Sequence, residues 1–78
     1  MAQPKPVMSM WTVYDHPKDF PRSFVARRFI IMTMNMISAT EEVIIAKTLD
    51  DLRKQLPPGL YRLERMENDD PKIIEVWL

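Results

Sequence analysis

The chemistry open to this chain is bounded first by the side chains it lacks. It has no cysteine and a single histidine, His16, which excludes disulfide frameworks, thiolate metal sites and multi-histidine zinc clusters. Asp15 precedes His16, and a carboxylate beside an imidazole is the pairing that orients a general base. Adjacent residues at a strand end point in different directions, however, and no nucleophile is spaced to meet them. His16 therefore reads as a loop residue that hydrogen-bonds locally. Glu67, Asp69 and Asp70 concentrate carboxylates, but without the alternating ligands and central glycine of a calcium loop, and beside Pro71,. A solvated turn is the simpler reading. Gly59 is the only glycine, so the glycine-rich loops that cradle phosphate are impossible. We expect no catalytic residue, no metal and no cofactor, and a protein that is not an enzyme.

Two clusters remain that can act by binding. Trp11, Tyr14, Lys18, Phe20, Arg22, Phe24, Arg27 and Arg28 are close together in the chain, and single-strand nucleic-acid binders combine aromatic platforms with basic grooves. Residues 1–28 hold five basic residues against two acidic, and residues 29–78 hold six against nine. The whole chain is nevertheless neutral, and its pI near 6.6 is far below the values above about 9 typical of nucleic-acid domains. A small sheet also needs its aromatics for the core. A nucleic-acid regulator using Lys18, Arg22, Arg27 and Arg28 is thus the alternative, and the same four are candidate protein-contact residues. The second cluster is Met32, Met34 and Met36, alternating with Thr33 and Asn35. This period of two either prolongs the second strand or forms a bend, and in alternation it puts three flexible, polarisable side chains on one side of an edge. Either way, if exposed, it forms an adaptable partner site.

The elements that must position these residues follow from periodicity and punctuation. Residues 1–10, with Pro4 and Pro6 and no hydrophobic period, read as a tail that carries no secretory signal and offers Met8 and Met10 as alternative starts,. A single domain is expected over residues 11–78. Met10 to Tyr14 form a short strand, stopped by Asp15-His16-Pro17, and residues 15–21 form a loop pinned by Phe20,. Phe24 to Met32 is the strongest strand signal: both alternate faces are apolar and each carries one arginine,. That pattern predicts a central strand in a sheet whose second face is partly covered. One arginine is expected to pair with Glu64 or Glu75 on a neighbouring strand. The other is expected to lie under the loop, held by Asp15 or Asp19.

Residues 42–46 read as a third strand. Thr48 is placed to accept from the amide of Asp51, with Asp50 and Asp51 early and Arg53 and Lys54 late,. It starts a helix from Leu49 to Leu56 with a Leu49, Leu52 and Leu56 stripe. Pro57 stops this helix, and Pro58-Gly59 fits a type II turn. Residues 60–66 and 72–78 form two strands of a hairpin joined by the polar turn 67–71. The order β-β-β-α-β-β predicts an α+β fold, an antiparallel or mixed sheet of about five strands with one helix packed on a face. No apolar run approaches the roughly 20 residues of a membrane span, so no membrane partner and a soluble, cytoplasmic protein are expected.

Trp11 to Pro21, Phe24 to Arg28, Leu52 to Gly59 and Asp70-Pro71 through Glu75 to Leu78 together form a pattern that resembles a group of small uncharacterised proteins of bacteria and their phages. The resemblance spans residues 11–78 and brings no activity, ligand or site residue with it. It implies an accessory protein that binds a host protein, or a phage-type inhibitor that occupies a partner's surface. A non-enzymatic protein-binding module is therefore the expected function, with a homodimer as a variant, because a small sheet can complete its core against its own copy.

Overall fold

In a computed structural model, which describes residues 5–64 and 70–78, five strands form one antiparallel sheet. They are β1 (Pro6–Asp15), β2 (Phe24–Met32), β3 (Ile37–Ala46), β4 (Arg62–Glu64) and β5 (Ile73–Trp77), with one helix, α1 (Leu49–Gln55), between β3 and β4. The strand order is β3-β2-β1-β5-β4. The expected α+β class holds, with every pairing antiparallel and β2 in the interior of the sheet.

The helix begins as its sequence predicts. The Thr48 hydroxyl accepts from the Asp51 amide at 3.1 Å, satisfying one of the amides a helix start leaves without a partner. Leu52 and Leu56 are buried and Leu49 is partly so. They pack on the sheet face that carries Trp11, Val13, Ala26 and Ala46, with Phe24, Ile44, Leu60, Ile74 and Trp77 around them. Ala26 and Ala46 are small, which lets a short helix sit close to the strands. Gly59 has φ of +84°, the conformation a type II turn requires at its third residue.

Several boundaries differ from expectation. β1 starts at Pro6 rather than near Met10, so residues 6–9, read as tail, are strand. Proline is tolerated at a strand's first residue, and Lys5 is tied down by its amide to the Thr33 hydroxyl (2.9 Å) and by its carbonyl to the Thr33 amide (2.8 Å). β3 starts at Ile37, ahead of the expected residue 42. An irregularity in register hides this, because Arg27 pairs with Val43 but Phe29 with Ala39. The extra residues form a bulge in which Thr40 donates to the Arg28 carbonyl at 2.9 Å. Of the expected strand 60–66, β4 contains only Arg62–Glu64. Residues 65–69, with most of the expected polar turn and its acidic cluster, lie outside the described residues.

Candidate functional site

Five of the seven candidate partner residues fall at opposite ends of the sheet, and Arg27 and Arg28 lie in the middle of β2. Lys18 and Arg22 are exposed on the loop between β1 and β2. Met34 and Met36 are exposed at the tight turn linking β2 to β3, and Met32 ends β2 half-buried. The methionine segment is therefore a bend, with Met34 at φ 67°. The length of β2 separates the two groups, about 26 Å at a rise of about 3.3 Å per residue.

Arg27 and Arg28 point to opposite faces, as alternation demands. Arg27 reaches back to Asp19 in the loop, as expected, and lies 6.0 Å from the Tyr14 ring centre. Arg28 does not meet Glu64 or Glu75. It donates to Glu42 at 2.5 Å and to Ser9 at 2.9 Å, because its own neighbours in the sheet are β3 and β1. Tyr14 aside, the cluster's aromatics serve the core: Trp11 is buried in it, and Phe24 packs against it with its ring edge to His16. The basic groups do not form one surface.

Glu75 is claimed by another residue. It is almost fully buried, 3% exposed, and receives two hydrogen bonds from Arg53 of α1, at 2.6 and 3.2 Å, and one from the Trp77 indole N–H. The hydrogen bond to Glu75 pushes the Arg53 guanidinium further up, against the opposing effect of its own burial. A bidentate pair of this kind clamps α1 to β5. The His16 ring nitrogen Nδ1 contacts Asp15, and both side chains are exposed. Among the described residues no three histidine or acidic side chains converge as metal ligands would. An open cleft of about 490 Å³ past the end of α1 is lined by Trp11, Ile44, Leu60, Ser9, Arg28 and Glu42. Arg28 there already donates to Ser9 and Glu42, and the Gln55 side chain at its rim donates to the Asp51 carbonyl.

The feature that individual residues did not reveal is the second sheet face. The register places Met8, Met10, Thr12 and Tyr14 of β1 beside Ile31, Phe29, Arg27 and Val25 of β2. Ile37, Ala39, Val43 and Ile45 of β3 continue the same face, and Ile73 and Val76 of β5 and Leu63 of β4 complete it. Val25 and Thr12 are buried there, at the end where the loop carrying Asp19 folds back. Away from that end the face opens, with Met8 42% and Ile37 61% exposed, and it is also open along the edge strands, where Ile45 of β3 is 44% and Leu63 of β4 48% exposed. Met10, Phe29, Ile31, Val43 and Val76 are only half-covered, and none of the described elements packs on them. Tyr14, at the covered end, has its phenol pushed up by burial, with Arg27 opposing and Asp70 and Asp19 adding to the rise. The signal that could have found this surface was the apolar second face of Phe24 to Met32.

No family model, no curated protein and no solved structure matches this chain. None of the described helices is long and apolar enough to cross a membrane.

Proposed function

We propose that the protein is a small non-enzymatic binding module that acts in the cytoplasm by laying its uncovered sheet face on another protein surface, as an accessory protein or an occluding inhibitor. The observation that supports this reading is the apolar set Met8, Met10, Phe29, Ile31, Ile37 and Ala39, which adjoin in register on the side away from α1, with Val43 and Ile45 following beyond Arg27 and the β3 bulge. An antiparallel sheet with one solvated face normally alternates apolar inside with polar outside. Here both alternations of β2 are apolar apart from one arginine each.

Strand addition at an edge is a poorer fit. β3 is the long edge, but it bulges at Thr40 and carries Glu41 and Glu42 there, two devices that blunt edge pairing. β4, the other edge, has three described residues. Nucleic-acid binding loses support because Arg27 and Arg28 occupy different faces and each already meets a carboxylate.

The test compares the natural chain with Ile45→Lys, a change at an exposed position on this face, as baits for chemical cross-linking in a cell lysate, with retention on heparin in parallel. The expected result is a defined protein adduct, which includes a copy of the bait, lost in Ile45→Lys, together with no salt-sensitive heparin retention. Adducts indifferent to Ile45→Lys, or strong heparin retention that falls steeply with salt, would overturn the reading.

A further inference from the structure

We infer that the occupant of the uncovered face is a second copy of this chain, giving a two-fold sandwich in which the two sheets pack face to face with α1 on each outside. The inference rests on the proposed role of that face, and names its partner.

Three observations lead to a copy rather than to a different protein. The first is charge. A two-fold interface sets the same patch against itself, so a charged patch would repel its copy. Among the register-paired positions of this face Arg27 is the only charged residue, and Asp19 of the same chain already holds it; the exposed Glu41 sits in the unpaired bulge of the edge strand β3. The face is otherwise aliphatic, aromatic or methionine, apart from Thr12, and such a surface is complementary to itself.

The second observation is area. Strands lie about 4.8 Å apart and rise about 3.3 Å per residue, so the strand lengths give a footprint of roughly 590 Å² for the whole face and roughly 500 Å² without the end under the loop that carries Asp19,. Two copies bring together roughly 1,000 Å² by footprint alone, the level a specific interface should reach. Side-chain corrugation raises the accessible area above it.

The third is the shape of the core. A seven-residue helix covers one face of a five-strand sheet, and among the described residues six apolar ones are buried on that side. Chains of this size bury only about 60% of the surface their unfolded form exposes. Sheet-on-sheet packing at about 10 Å separation would supply the missing layer with residues already apolar. Met8 and Met10, unbranched and flexible, lie on the face where two curved sheets must accommodate one another,.

The test is molar mass by light scattering coupled to gel filtration across a wide concentration range, for the natural chain, Phe29→Glu and Ile45→Lys, with Met34→Lys at the distant turn as a control. The expected result is a mass twice the 9.3 kDa chain for the natural protein and Met34→Lys. In both face variants the dimer dissociation constant should rise by about tenfold or more. Ile45 is exposed enough for lysine to be accommodated in the folded chain, so Ile45→Lys decides the matter if Phe29→Glu does not fold. A dimer unaffected by Ile45→Lys overturns the inference, and so does a natural chain that stays monomeric throughout. In the monomeric case a cross-linked foreign protein lost in Ile45→Lys would leave the binding role standing while removing the second copy. Absence of any adduct would remove both.

Discussion

Replacing Arg53 by methionine keeps most of the side chain's apolar length and removes the guanidinium. Glu75 then stays almost entirely buried with the Trp77 N–H as its one remaining hydrogen-bond donor in place of three contacts. Deleting one partner of a fully buried pair costs about 3–5 kcal/mol, because a charge is left uncompensated. The Arg53 side chain is 32% exposed while that of Glu75 is 4% exposed, so water offsets part of the loss. We expect Arg53→Met to cost about 2–3 kcal/mol. In a domain of this size that lowers Tm by roughly 10–20 °C. The double variant Arg53→Met with Glu75→Leu removes both charges and should recover most of the loss, since apolar replacements of a buried pair are often neutral. Urea unfolding at one fixed chain concentration gives both numbers, the fixed concentration being needed because association shifts apparent stability. A double variant no more stable than Arg53→Met would refute the reasoning, because the cost would then lie in lost packing and not in a stranded carboxylate.

Other outcomes follow from the same interactions. Thr48→Ala should lower stability by about 0.5–2 kcal/mol; an unchanged unfolding midpoint would remove the cap. Trp11→Ala should cost about 3–5 kcal/mol, and Trp77→Ala less, since Trp77 is only half-buried; the reverse order in urea titrations would contradict the assigned core. In Tyr61→Phe, phenolate absorbance should show Tyr14 titrating above 10.0, raised by burial. Its contribution to stability is then complete below its unfolded value, about 10, and is lost as pH rises through the folded value. A midpoint at or below 10.0 in a chain still folded by circular dichroism would contradict this.

What was legible in the sequence was local. The Thr48 cap, the Pro57-Pro58-Gly59 stop and the strand Phe24 to Met32 depend on neighbouring residues, and each is present. That a loop aspartate, Asp15 or Asp19, holds one of the two arginines was legible because the loop runs directly into β2; that it is Asp19 and Arg27 was not. The partner of Arg28 was not, since choosing among Glu42, Glu64 and Glu75 requires the strand order. Residues 6–9 look like tail in isolation and become strand because β2 offers them a template, a long-range effect that propensity does not encode,. The binding surface was half legible. The two apolar alternations of β2 announced that both faces need cover, but which face α1 leaves open follows from the placement of Leu52 and Leu56 against Ala26 and Ala46.

The methionines provide the most direct measurement of the open face, because they report from both ends of the question. Met8 and Met10 lie on it, and Met34 sits apart at the turn. Methyl-labelled methionine resonances, followed by NMR over a dilution series with a soluble paramagnetic probe, read each site separately. Association through the sheet face predicts that Met8 and Met10 shift and gain protection from the probe as concentration rises, while Met34 stays exposed throughout. Protection that appears at Met34 while Met8 and Met10 remain accessible would contradict it.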